Sequence, residues 1–82
     1  MSTLEEYARK AWTTYGLEHQ SWIRKLRNYI KMTPEEQLIE EINRITDINL
    51  FRMLWEAGLP KELQEAALRR YDELRLRRLI TG

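Results

Sequence analysis

The chain has 82 residues, of which 43% are hydrophobic and 33% are charged, and its 14 basic and 13 acidic side chains leave a net charge of +1. The composition is too apolar for a disordered segment, and the length predicts a single domain over residues 1–82. The lack of cysteine excludes disulfides, thiolate catalysis and zinc sites built on cysteine. Because the net charge is close to zero, any binding of nucleic acid would depend on local clusters of basic residues.

The sequence carries no recognisable signal for a membrane. It has no run of about 18 apolar residues that could span a bilayer, and residues 1–6 show neither the basic start nor the apolar stretch of a signal peptide. We therefore expect a cytoplasmic protein that does not contact a membrane.

The first predicted element is a helix over about residues 4–32, where apolar residues recur with helical period on both sides of Gly16. Ser2 or Thr3 can cap its start, since each is followed three residues later by a glutamate. Gly16 weakens a helix by about 1 kcal/mol, so the segment forms either one continuous helix or two helices that meet near this glycine. Because the apolar residues on both sides of the glycine fall on the same face of one helix, we expect the continuous helix.

Two shorter helices are predicted next. Residues 33–36, Thr-Pro-Glu-Glu, start the first of them, with a threonine cap, a proline in the first turn and a glutamate that completes a capping box. This helix runs to about Ile45. Residues 46–47 offer a new cap for a helix over residues 48–57, and Gly58 stops that helix in a left-handed conformation.

The segment over residues 48–57 is the most apolar part of the chain. Seven of its ten residues are apolar, and the polar ones, Asn49, Arg52 and Glu56, recur at spacings of three and four. On a helix these three form one narrow polar stripe, and such a helix is stable only when other helices cover most of its circumference. We therefore expect this helix at the centre of the core, with Trp55 buried.

The last predicted helix runs from Pro60 or Lys61 to about Leu79 and has two apolar faces. A helical projection gives a core face of Leu63, Ala66, Ala67, Tyr71 and Leu74. Leu68 and Leu79 project to nearly the opposite side, flanked by Leu76 and Ile80. The order of elements predicts an all-α fold: a compact bundle of four, possibly five, helices with a long N-terminal helix, two short helices and a long C-terminal helix.

Residues for catalysis or for binding a cofactor are not evident. His19 is the only histidine, and its neighbours supply neither a catalytic partner nor a second metal ligand at helical spacing. Five of the 13 carboxylates precede a basic residue by four positions, as in Glu5–Arg9 and Glu73–Arg77, and such surface pairs are worth about 0.2–0.5 kcal/mol each. We therefore expect no enzyme, no cofactor and no metal, with His19 at the surface or partly packed.

Surplus apolar surface on the first and last helices predicts protein–protein interaction. A continuous first helix would be roughly 42 Å long, more than the other helices can cover, and the second face of the last helix adds to this surplus. We expect a homodimer, or a complex with another protein, through Trp12, Tyr15, Trp22, Leu68, Leu76 and Leu79.

Binding of DNA or RNA is the alternative function, through two basic clusters. The first cluster is Arg24, Lys25, Arg27 and Lys31, and the second is Arg69, Arg70, Arg75, Arg77 and Arg78. Such clusters can contact phosphates, and the two helices around Gly58 superficially resemble a helix-turn-helix. Against this, Glu62 and Glu65 begin the would-be recognition helix, and cations near helix C-termini also suit the helix dipole.

Overall fold

A computed structural model describes residues 3–81, with side chains through Leu79; Ser2 and the side chain of Ile80 lie outside the described residues. The described range contains five α-helices: α1 (Leu4–Trp12), α2 (Gly16–Met32), α3 (Glu35–Arg44), α4 (Leu50–Ala57) and α5 (Lys61–Thr81). The all-α class is confirmed, and the fifth helix arises from the first predicted element. None of the described helices is both long and apolar enough to cross a lipid bilayer.

The expected continuous helix over residues 4–32 is wrong, because the chain reverses between α1 and α2. The ring centroids of Tyr7 and Tyr29 are 5.3 Å apart, whereas 22 residues of one helix would separate them by about 33 Å. Thr14 donates its hydroxyl to the Lys10 carbonyl at 2.8 Å, and such bonds compete with continued helix. Gly16 then adopts a φ of +68°, a region that glycine occupies readily.

Helix α4 starts two residues later than expected, whereas its end follows the signal in the sequence. Asp47 accepts a hydrogen bond from the Asn49 backbone N–H at 3.0 Å, so it orders the turn before α4. At the other end Gly58 has a φ of +91°, and its N–H donates to the carbonyls of Leu54 and Trp55, both at 3.1 Å. The glycine therefore ends α4 in the expected left-handed conformation.

The starts of α1 and α3 differ in how they are capped. Thr3 accepts a hydrogen bond from the Glu6 N–H at 3.3 Å, as a threonine cap does. Helix α3 instead begins at Glu35 with Pro34 in the capping position, one residue later than the threonine cap that we expected.

Helix α4 lies at the centre of the core and packs against α1, α2 and α5. Leu50, Phe51 and Leu54 are fully buried. The expectation that Trp55 is buried is wrong, since 37% of its surface is exposed. In a helical projection Trp55 lies beside Arg52, at the edge of the polar stripe, so it packs against Phe51 and leaves its outer side open.

Helix α5 packs against α3 and α4 through only one of its two apolar faces. Leu63 and Ala67 are buried, and Tyr71 and Leu74 are partly buried against the core. Leu68, in contrast, is exposed. The helix therefore completes the core with one side and leaves a second apolar face in water.

Candidate functional site

The side of α5 opposite its core face carries a straight row of exposed side chains. We define the outer row as Leu68, Asp72, Arg75 and Leu79. Their spacings of four, three and four residues keep them on one side of a helix, over about 16 Å. Leu68 is 52% exposed, Leu79 is 75% exposed, and Leu76, which flanks the row, is 59% exposed. The row thus has an apolar residue at each end and two charged residues between them.

The two charged residues of the outer row have opposite signs. Asp72 forms no ion pair with any side chain in residues 3–79. The guanidinium carbon of Arg75 lies 5.8 Å from the centroid of the Tyr71 ring, within the range of a cation–π contact. Both side chains are exposed, so their charges can meet those of another molecule.

A wide groove of about 680 Å³ lies between α4 and α5, beside the outer row. We define the basic groove by its lining residues, Ile48, Asn49, Arg52, Trp55, Tyr71, Arg75, Arg78 and Leu79. Three of them are arginines and none is acidic. The rings of Trp55 and Tyr71 pack edge to face at a centroid distance of 5.6 Å. The groove is therefore positively charged and partly aromatic, which favours an anionic ligand.

Sequence reasoning missed the basic groove because it placed Trp55 in the core and treated Arg52 only as part of the polar stripe of α4. Arg75 and Arg78 appeared in a predicted basic cluster, whereas Arg52 and Trp55 come from α4. The available signal was Arg52, the one cation in that stripe, which must point to solvent.

The aromatic interface residues predicted on the first element lie apart from the outer row. Trp12 is 40% exposed and Tyr15 is 88% exposed, and both line a shallow groove together with Met53. Trp22 is partly buried, with the Lys25 ammonium 4.3 Å from its ring centroid. The six predicted interface residues therefore occupy at least two separate surfaces, and only the three leucines of α5 share one.

The first predicted basic cluster is divided by the structure. Arg27 donates from Nε to the carbonyl of Ala57 at 2.8 Å, so it ties α2 to the end of α4. Helix C-terminal carbonyls lack partners within their own helix, and a cation there is favourable. Lys25 lies over Trp22, whereas Arg24 and Lys31 are exposed.

The second predicted basic cluster is divided in the same way. Arg70 donates from Nε to the carbonyl of Ile45 at 3.1 Å and from Nη1 to Glu73 at 3.0 Å, which ties α5 to the end of α3. Its side chain is only 11% exposed. Arg69 is exposed, Arg75 and Arg78 line the basic groove, and Arg77 lines a neighbouring cleft with Asp47.

His19, in the first turn of α2, links the end of α1 to α4. Its Nδ1 lies 2.7 Å from the Ala11 carbonyl oxygen, and its Nε2 lies 3.0 Å from Glu56 Oε1. Carbonyl and carboxylate oxygens only accept hydrogen bonds, so both contacts form fully only with the doubly protonated imidazole. The Glu56 hydrogen bond, followed by the Ala11 hydrogen bond, raises the pKa of His19 above its ordinary 6.5.

Glu41 joins α1, α2 and α3 at the other end of the molecule. The Tyr29 hydroxyl donates to its carboxylate at 2.8 Å, and the Leu4 backbone N–H donates to it at 3.0 Å. Burial, followed by the Glu41 hydrogen bond, raises the pKa of Tyr29. The phenol therefore stays protonated as a donor, and Glu41 has a structural role that its sequence position does not reveal.

No protein-family model, curated protein or solved structure matches this chain. Within the described residues, no three His, Asp or Glu side chains come together in a way that could hold a metal ion. The candidate sites are thus defined by geometry alone, and they are the outer row of α5 and the basic groove beside it.

Proposed function

We propose that this chain is a small, non-enzymatic protein–protein interaction module of the cytoplasm, which associates with a second copy of itself through α5. The observation that carries the proposal is the outer row, where exposed leucines lie on a helix whose opposite side already supplies the core. Trp12 and Tyr15, in their separate groove, offer a second surface for another protein.

The exposure of the α5 leucines supports the proposal on energetic grounds. Complete burial of a leucine contributes about 1.5–3 kcal/mol, and Leu68, Leu76 and Leu79 leave most of that unused in the isolated chain. Single exposed leucines are ordinary on protein surfaces, whereas three of them on one side of a helix are typical of an interaction site.

Sedimentation of the purified chain between about 10 µM and 1 mM tests the proposal in the range where small interfaces dissociate. We expect the wild type to sediment increasingly as a dimer, and Leu68→Glu/Leu79→Glu to remain a monomer. Leu17→Glu is the matched control, because Leu17 is 85% exposed on α2. A wild type that stays monomeric throughout this range would contradict self-association.

The basic groove favours a second candidate function, the binding of single-stranded nucleic acid. Such binding combines cations that follow the phosphates with aromatic rings on which bases stack. Arg52, Arg75 and Arg78 supply the cations, and Trp55 and Tyr71 supply the rings.

Fluorescence anisotropy of a labelled single strand, at about 50 and 200 mM salt, tests this candidate. We expect affinity to fall steeply with salt and to be lost in Arg52→Glu/Arg78→Glu, which leaves the outer row intact. Arg24→Glu/Lys31→Glu, a change of equal charge in exposed residues of α2, should retain most of the affinity. An unchanged anisotropy at the lower salt rejects the candidate.

A further inference from the structure

We propose that two copies of this chain pair through α5 in an antiparallel orientation, in one register. In this register Leu68 lies opposite the partner's Leu79, and Asp72 lies opposite the partner's Arg75. This inference rests on the proposed self-association and adds its geometry.

The spacing of the outer row supplies the first argument. Positions 68, 72, 75 and 79 are separated by four, three and four residues. This spacing matches the seven-residue repeat of coiled coils, in which the inner positions of two paired helices stay in contact along one seam. The four residues occupy successive inner positions of that seam. When two such helices run antiparallel, the first inner position of one faces the last inner position of the other.

The charges on the outer row supply the second argument, because they select the orientation. Antiparallel pairing places each Asp72 carboxylate beside the partner's Arg75 guanidinium, and two such pairs form by symmetry. Parallel pairing in register would place aspartate opposite aspartate and arginine opposite arginine, which is repulsive. The row is therefore complementary to itself only when one copy is reversed.

The flanking residues are compatible with this arrangement. Leu76 and Arg69 occupy the same flank of the seam, since they are seven residues apart. In the antiparallel pair Leu76 of one copy lies near the partner's Arg69, whose methylene groups can cover a leucine while the guanidinium stays in water.

The interface expected from this pairing is small. The outer row is only about 16 Å long, so two such rows bury less surface area than the interface of a stable complex. We therefore expect a weak dimer that forms at micromolar or higher concentration. In such a dimer the leucines supply most of the affinity, and the charge pairs determine register and orientation.

Charge reversal tests the register, with sedimentation as the measurement. Asp72→Arg places arginines opposite each other, and Arg75→Asp places aspartates opposite each other, so each variant alone should show a dissociation constant raised at least about tenfold. An equal mixture of the two variants restores both attractive pairs and should dimerise like the wild type. Asp72→Arg/Arg75→Asp in one chain should do the same.

Crosslinking tests the orientation, and the absence of native cysteine makes it simple. We expect a short bis-maleimide to join Leu68→Cys to Leu79→Cys when the two variants are mixed, and to join neither variant efficiently to itself. Efficient crosslinking of Leu68→Cys alone would indicate parallel pairing and overturn the inference. Circular dichroism of each variant verifies that the helices are retained.

Failure of this inference can be distinguished from failure of the proposed function. If the wild type dimerises but the single charge reversals leave the dissociation constant unchanged, the register is wrong and self-association stands. If the wild type stays monomeric up to about 1 mM, both are wrong.

Discussion

Helices α4 and α5 use their apolar residues in opposite ways. Helix α4 has eight residues, and five of them are buried between three neighbouring helices. Helix α5 has 21 residues and packs mainly against α3 and α4, and its second set of leucines stays in water. The apolar content of a helix therefore does not by itself say where its side chains lie; the coverage by neighbouring helices decides.

The lengths of the helices account for part of this difference. Helix α5 is about 31 Å long, whereas α3 and α4 are about 15 and 12 Å long. Helices of this length cannot surround α5 on every side, and Leu76 and Leu79 are exposed near its end. Leu68 is exposed where α5 is packed, because it projects away from the core, as Leu76 and Leu79 also do.

The largest expected effect contrasts a leucine of α4 with one of α5. Leu54→Ala removes a fully buried side chain and should lower the free energy of unfolding by about 2–5 kcal/mol, because it leaves a cavity. Leu68→Ala, at a position that is 52% exposed, should change it by no more than about 0.5 kcal/mol. Urea unfolding at low micromolar concentration measures both, and equal losses would contradict the contrast between the helices.

Helical periodicity predicted the fold class, because apolar residues spaced about 3.6 apart indicate a helix with one buried face, whatever its neighbours are. It could not reveal the break before Gly16. Helices α1 and α2 pack against the same core, so the apolar residues of both recur with helical spacing. That spacing is the same whether the chain continues or reverses between them. The threonines at 13 and 14, whose hydroxyls bond to carbonyls of α1, carried the contrary signal, since such residues compete with helix continuation.

The candidate sites were predictable only in part. A helical projection sufficed to find the second face of α5, because α5 is regular along its length. The structural roles of Arg27 and Arg70 could not be read from sequence, since each bonds to a carbonyl 30 or 25 residues away. Sequence clustering therefore grouped arginines that stabilise the fold with arginines that remain exposed.

A second, smaller effect separates two neighbouring arginines of α5. Arg70→Ala removes the link to the Ile45 carbonyl at the end of α3 and should lower the free energy of unfolding by about 1.5–3 kcal/mol, as expected for a hydrogen bond from a charged donor. Arg69→Ala, at an exposed position, should cost less than about 0.5 kcal/mol. Thermal unfolding of the two variants at equal concentration measures the difference, and a cost at Arg69 as large as that at Arg70 would remove the distinction drawn within this cluster.

The smallest expected effect concerns the exposed edge of α4, where Glu56 meets His19. Since folding raises the pKa of His19, the contact stabilises the fold fully below pH 6.5, and this contribution is lost as the pH rises through the folded-state pKa. The loss should stay below about 1 kcal/mol, because 49% of the Glu56 side chain is exposed and water screens the pair. Unfolding measured from pH 5 to 8 should show this slope in the wild type and a weaker slope in His19→Asn. Glu56→Gln should also weaken it, because it removes the largest cause of the shift. A slope that persists in both variants would assign the pH dependence to other groups.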